Sequence, residues 1–179
     1  ARIADDFADE PEYEGQRESR LLEWRRWLSE AAAGRPPAHP VFVALADALP
    51  RYDLPVEPFD DLLSAFLSDV VKKRYASFDE VFEYCRCSAN PVGRIVLMVC
   101  GYRSESMFRY SDAICTALQL ANFWQDLSLD LKKDRIYIPD EDFKAFGYSE
   151  ADLRMEVINE KFRSLMRFQC KRTRSLFDE

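Results

Sequence analysis

The residues in this chain whose types and spacing could do chemistry are acidic. In Asp5-Asp6-Phe7-Ala8-Asp9-Glu10, Asp5 and Asp9 stand four positions apart. On a helix that is one turn, about 6 Å along the axis, with both carboxylates on one face. Like charges so placed weaken an isolated helix by about 0.2–0.5 kcal/mol. A solvated acidic helix end tolerates that penalty, and a cation held between the two removes it; the motif alone leaves both readings open. A second set tips the balance. Asn122, Asp126 and Asp130 recur at every fourth position, and around them lie Leu118, Leu120, Phe123, Trp124, Leu127 and Leu129. Carboxylates on a largely apolar helix are expensive to bury unpaired. Two such helices facing each other would offer oxygen ligands to Mg²⁺, an ion that prefers octahedral oxygen and keeps several waters. Its open positions suit a diphosphate. The expected ligand set is therefore Asp5, Asp9, Asn122, Asp126 and Asp130, with Mg²⁺ as cofactor.

The remaining composition excludes most other chemistries. The formal net charge is −7 in 179 residues, and within residues 1–14 six acids face Arg2 alone. Such a balance argues against nucleic-acid binding, which depends on Lys and Arg at phosphates. The one histidine, His39, sits in Gly34-Arg35-Pro36-Pro37-Ala38-His39-Pro40 and reads as a loop residue with a solvated ring. Read so, it leaves no histidine for Ser-His-Asp or Cys-His catalysis or for zinc hydrolase sites, and one histidine is too few for di-iron bundles built on two Glu-x-x-His motifs. Carboxylates and a metal must then carry any catalysis. Five cysteines without framework spacing suit reduced thiols, and Cys85-x-Cys87 reads as helix packing. The longest apolar run, Ile95 to Cys100, falls far short of the roughly 18–20 residues of a membrane span. No signal peptide pattern is visible, so a cytoplasmic location is expected. The chain opens at Ala1 and ends with a helical pattern in progress, and truncation at both ends is expected.

The elements that must position these residues read as helices throughout. There are only five glycines and no alternating segments. Helices are predicted over 1–10, 16–33, 40–49 (stopped by Pro50) and 58–74. A capping box at Ser77-Phe78-Asp79-Glu80 starts another, which should kink or break at Asn90-Pro91 and resume to about 101. A long helix is predicted over 105–131, followed by a loop at 134–139. Ser149-x-x-Asp152 should start a last helix that runs to the end. Trp24 and Trp27 read as core. The basic stretch Arg163, Arg167, Lys171, Arg172 and Arg174 reads as a solvated helix face, with a membrane-surface role as its functional alternative. The whole, 1–179, reads as a single-domain all-α bundle.

Three ordered blocks resemble the squalene/phytoene synthase family. Arg2-Ile3-Ala4-Asp5-Asp6-Phe7-Ala8-Asp9-Glu10 is similar to its first aspartate motif. Tyr84-Cys85-Arg86-Cys87-Ser88-Ala89-Asn90-Pro91-Val92-Gly93 is similar to its Tyr-Cys…Val-Gly helix. Asn122-x-x-x-Asp126-x-x-x-Asp130 with Asp134-Arg135-Ile136-Tyr137-Ile138-Pro139 is similar to the second motif and its trailing loop. The resemblance implies an all-α isoprenoid synthase fold with two facing aspartate-rich helices, and a prenyl diphosphate substrate. The runs Ser88 to Gly93 and Ala121 to Asp126 resemble in particular the bacterial hydroxysqualene synthases of hopanoid and squalene biosynthesis. That likeness implies conversion of presqualene diphosphate to hydroxysqualene, with a partner enzyme supplying presqualene diphosphate from two farnesyl diphosphates. Peripheral contact with the inner membrane would suit so apolar a product.

The resemblance also assigns roles. Asp5, Asp9 and Asp126 act through the metal, and Tyr84 lies beside the reacting carbons. Arg135 and Tyr137 reach the diphosphate from the family loop. Arg2, three residues before Asp5, could add a charge-assisted contact to it, or pair within its helix with Asp5 or Asp6. Gln119, one turn before Asn122, could hydrogen-bond the same group. Ala89, Val92 and Gly93 are small enough to leave room for an isoprenoid tail. One departure matters: condensing members of the family carry an arginine where this chain has Gln125, and glutamine has neither the charge nor the fork for a second diphosphate. The alternatives are a head-to-head synthase making squalene, dehydrosqualene or phytoene, and a non-catalytic relative serving as an assembly factor.

Overall fold

A computed structural model describes residues 1–178, and every regular element among them is helical. In chain order these are α1 (Arg2–Asp9), α2 (Arg17–Ala32), α3 (Pro40–Arg51), α4 (Glu57–Val71), α5 (Phe78–Ser88) and α6 (Asn90–Val99). There follow α7 (Glu105–Gln125), α8 (Leu127–Lys132), α9 (Asp140–Phe146), α10 (Glu150–Arg154) and α11 (Glu160–Phe177), and a 3₁₀ turn spans Pro11–Tyr13. The chain forms two compact units. One comprises Ala1–Val71 and Cys87–Asp112; the other comprises Lys72–Arg86 and the chain from Ala113 onward. No described helix is long and apolar enough to cross a membrane.

The first unit is built on apolar residues at helical spacing. α2 buries Leu21, Trp24, Leu28 and Ala31, one stripe along its length. Against it lie Ala4, Phe7 and Ala8 of α1, Phe42 of α3, and Leu62, Leu63 and Phe66 of α4. Trp24 meets Phe7 and Phe42 edge-on at centroid distances of 5.2 and 4.8 Å, a favoured aromatic geometry. Trp24 and Trp27 belong to this core as expected. His39 does not have a solvated ring. It is half-buried, packs against Trp24 and Trp27, and caps α3 by accepting the Val41 N–H at Nδ1 (3.3 Å). Pro50 does not stop α3; it lies in the last turn, which ends at Arg51. A helical φ suits proline, and the lost N–H bond and the crowding of the carbonyl four residues back fall in the final turn, where little helix follows to be disrupted.

The second unit has two apolar clusters. Tyr75, Val81, Cys85, Leu120, Phe123 and Tyr137 form one, and Ile136, Ile138, Phe143, Tyr148, Leu153 and Leu165 the other. Several predicted boundaries move. The helix expected to reach 74 ends at Val71, because 73–76 pairs with the later loop: Lys73 and Tyr75 carbonyls accept the N–H groups of Ile136 (3.1 Å) and Asp140 (2.9 Å). The capping box of α5 is half-formed. Ser77 Oγ accepts the Glu80 N–H, while the Glu80 carboxylate accepts from Ala76 and pairs with Lys72. The break at Asn90-Pro91 occurs as predicted, between α5 and α6. The helix expected over 105–131 breaks at Asp126 (φ −93°, ψ 11°). A full capping box at Ser149 and Asp152 starts only α10; the chain then turns, with Glu156 at φ +52°, and Asn159 caps the separate α11. Arg172 leaves the solvated face of α11. It reaches Asp142 at 2.5 Å and lies 3.5 Å from the Phe78 ring centroid.

Candidate functional site

Asp5 and Asp9 each follow an alanine that is fully buried, Ala4 and Ala8. The helix thus sets both carboxylates at the edge of the face that α1 buries, where they are half-exposed. Arg17 donates to the Ala8 carbonyl and to Glu14, satisfying one of the orphan acceptors at the α1 C-terminus and placing a cation there. Arg2 takes the intrahelical option: its Nε donates to Asp6 Oδ1 at 2.9 Å with the side chain 84% exposed. A pair so exposed is worth only about 0.3–0.5 kcal/mol and leaves the arginine easy to redirect. In the same unit Ala89 is buried, Gly93 half-buried and Val92 exposed.

The second acidic set survives the helix break. Asn122 lies in the last turn of α7, Asp126 is the residue between α7 and α8, and Asp130 lies in α8. Backbone bonds of the helical i→i+4 kind still join them, from Asp126 N–H to Asn122 C=O (2.8 Å) and from Asp130 N–H to Asp126 C=O (2.9 Å). The three rungs therefore stay one turn apart although the helix is not continuous. Asn122 Nδ2 donates to Asp126 Oδ2 at 2.7 Å. That bond uses neither the amide oxygen of Asn122 nor Oδ1 of Asp126. Gln119 is half-buried one turn earlier, and Gln125 is exposed.

The loop that follows is not an exposed arm. Arg135 and Tyr137 are each 5% exposed. The Tyr137 ring stacks on Phe123 at a centroid distance of 3.6 Å and 5° between planes, and on Tyr75 at 5.6 Å. Tyr84 is half-buried beside them, 5.6 Å from Tyr137 and 5.9 Å from Tyr75. The structure thus brings Tyr84 and Tyr137 together in an aromatic wall that also contains Tyr75 and Phe123. Sequence reading missed Tyr75; its only signal was an aromatic residue just after the basic run Lys72-Lys73-Arg74.

Sequence reading also missed Arg74. Its guanidinium grips Glu150 with two bonds (Nε to Oε2, 2.9 Å; Nη2 to Oε1, 2.8 Å) and also donates to Asp134 Oδ1 at 2.8 Å. Arg154 donates to the same two carboxylates. Hydrogen bonding from Arg74 pulls the Glu150 carboxyl down from its ordinary 4.5 to about 2, and that of Asp134 is lowered by the same two arginines.

Each acidic set by itself offers oxygen donors only, two carboxylates on α1 and two carboxylates with one carboxamide over Asn122 to Asp130, and oxygen is the donor Mg²⁺ favours. Among the described residues no three His, Cys, Asp or Glu side chains converge into a cage of their own. The residues present fit an ion held by a few carboxylates and completed by water and phosphate oxygens. An apolar cavity of about 50 Å³ against Trp24, Phe42 and Phe66 is lined by no carboxylate or other oxygen-bearing side chain and offers such an ion nothing.

The architecture is that of the all-α isoprenoid synthases. It matches the squalene synthase HpnC from Alicyclobacillus acidocaldarius with a TM-score of 0.92 and 38% identity, over 98% of this chain and 65% of that one. A dehydrosqualene synthase matches with a TM-score of 0.88 and 26% identity, over 99% and 61%. In sequence the chain is 34% identical to phytoene synthase of Arthrospira platensis, over 98% of this chain and 61% of that enzyme. It is 32% identical to the chloroplastic phytoene synthase 1 of Zea mays, over 99% and 45%. The family model for squalene/phytoene synthase matches residues 1–179, and the chain belongs to that family. It spans less than two thirds of the length of each of these relatives.

Proposed function

We propose that this protein ionises a prenyl diphosphate with Mg²⁺, and that the substrate is presqualene diphosphate, converted to hydroxysqualene. The observation that carries the first part is the Asn122, Asp126 and Asp130 ladder, kept in register through a helix break by backbone bonds and by the Asn122–Asp126 contact. Together with Asp5 and Asp9 these residues would hold Mg²⁺, which when bound supplies positive charge to a departing diphosphate. Arg2 is free to swing from its exposed pair with Asp6 toward a stronger anion. Gln119, Arg135 and Tyr137 are the further diphosphate contacts. The carbon–oxygen bond breaks with its electron pair leaving on the diphosphate. Water oxygen then bonds the carbon, and its proton passes to the released diphosphate. Tyr84 presents a ring face to the cationic carbon, a cation–π role, with Ala89, Val92 and Gly93 leaving room for the tail.

The finer assignment is supported by the 38% identity to HpnC and by Gln125 where condensing members have arginine. The phytoene synthase relatives support a second reading, a head-to-head synthase that makes squalene, dehydrosqualene or phytoene. The filled ligand positions favour either over a non-catalytic assembly factor. The setting would be cytoplasmic, with the exposed Arg163, Arg167, Lys171 and Arg174 of α11 as a contact for anionic lipid at the inner membrane, and with a pathway partner that supplies presqualene diphosphate.

The test is diphosphate release from presqualene diphosphate, with and without Mg²⁺, on the wild type, Asp126→Ala and Asp5→Ala, with mass spectrometry of the product in ¹⁸O water. Labelled hydroxysqualene is expected, with release lost in both variants. Activity surviving both substitutions would sink the metal reading. Presqualene diphosphate formed from farnesyl diphosphate alone would move the assignment to the second reading.

A further inference from the structure

Helix α8, which carries Asp130, has six residues and fully buries none of them. A helix that short is not stable by its own hydrogen bonds, so its direction depends on what fixes its two ends. One end is the break at Asp126. The other is a Schellman turn: the Arg135 N–H reaches the Asp130 carbonyl (2.9 Å) and the Asp134 N–H reaches that of Leu131 (3.1 Å). The left-handed position of this turn normally holds glycine, yet here it holds Asp134 at φ +56°. A side chain beyond hydrogen is unfavourable there, least so for Asn and Asp, whose short polar groups can bond locally.

What the carboxylate contributes in return is a grip from outside the helix. Asp134 Oδ1 accepts from Arg74 Nη2 at 2.8 Å and from Arg154 Nη2, and the Asp134 carbonyl accepts from Arg74 Nη1. Arg74 is in turn fixed by its two-bond fork to Glu150, the first residue of α10, whose start is locked by the Ser149–Asp152 capping box. The Ile136 N–H on the Lys73 carbonyl holds the two strands of chain side by side. All four charged groups are partly exposed, so their pairing adds little to stability. Its consequence is geometric.

We propose that Arg74 is a positioning residue: through Asp134 it fixes the end of α8, and with it Asp130 of the second acidic set and Arg135 of the loop that follows. The inference rests on the Mg²⁺-diphosphate reading of that set.

The test uses two variants. Asp134→Gly keeps the left-handed turn and removes the carboxylate; Arg74→Lys keeps the charge and removes the fork. Hydrogen exchange over residues 127–136 reads the helix end without any ligand. Calorimetry with inorganic diphosphate and MgCl₂ reads the site. Both variants should unfold within a few degrees of wild type, exchange faster over 127–136, and bind Mg²⁺-diphosphate about 10-fold more weakly or worse. Unchanged exchange overturns the clamp. Faster exchange with unchanged binding overturns the positioning role. Wild-type protein that binds no Mg²⁺-diphosphate fails the functional reading itself, and the inference falls with it.

Discussion

Asn122 donates a hydrogen bond to Asp126 across 2.7 Å, from the last turn of α7 to the residue at which that helix ends. The bond fixes which oxygen of Asp126 is engaged and turns the other away. It therefore acts on the orientation of a proposed ligand as well as adding one. Asn122→Leu should remove both effects. Because Asn122 is exposed, the unfolding midpoint should hardly move. The Mg²⁺ concentration for half-maximal diphosphate release should rise about 10–100-fold, the range seen when a ligand's orienting partner is lost. A Mg²⁺ titration of release beside thermal unfolding checks this.

Glu150 sets a pH dependence of stability with a definite sign. Its folded carboxyl is held at about 2 against an ordinary 4.5, first by the Arg74 bonds and then by Arg154, with desolvation opposing. Between those values the unfolded chain binds more protons than the folded one, so stability rises with pH across the window. The contribution is complete above about pH 4.5 and lost as pH falls toward 2. Asp134 shifts in the same direction. Glu150 is 38% exposed, so solvent screening keeps the amplitude small. Thermal melts from pH 5 to pH 2 should show a shallower decline in Glu150→Gln than in wild type.

Much of the local fold around the candidate residues was legible because its signals are local. The four-residue spacing of the aspartates, the proline at 91 and the Ser149–Asp152 capping box each act within one or two helical turns, and each is realised. What was illegible depends on distant partners. No glycine or proline marks the break at Asp126. The loop 134–139 looks polar at Asp134-Arg135, yet its backbone pairs with 73–76 and buries Arg135 and Tyr137. Arg74 lies 60 residues from Asp134 and 76 from Glu150, a pairing that no periodicity encodes. His39 was misread because its partners Trp24 and Trp27 lie on the preceding helix.

The cysteines should divide by burial. Cys85 is fully buried, and burial alone pushes its thiol up to about 12. Cys100 and Cys170 are exposed. Reactivity follows the thiolate and its access. N-ethylmaleimide at pH 7.5 should label Cys100 and Cys170 in the folded protein and reach Cys85 only in denaturant, as read by peptide mass spectrometry. Early labelling of Cys85 would contradict the packing of α5 against Leu120 and Phe123.

Tyr137 combines a structural ring and a proposed substrate-binding hydroxyl, and two substitutions separate them. The ring is stacked on Phe123 and Tyr75 and buried. Tyr137→Ala empties that space and should cost about 3–5 kcal/mol in urea unfolding, as for other large-to-small aromatic changes. Tyr137→Phe keeps the stack, so it should lose far less stability than Tyr137→Ala. If the hydroxyl donates to the diphosphate, its loss removes a hydrogen bond to a charged group, worth about 1.5–3 kcal/mol. KM for presqualene diphosphate should then rise about 10-fold or more with kcat little changed, since the contact is made in the ground state as well. An unaltered KM in a normally folded Tyr137→Phe protein would assign Tyr137 to the aromatic wall alone, leaving Arg135 as the loop's contact with the substrate.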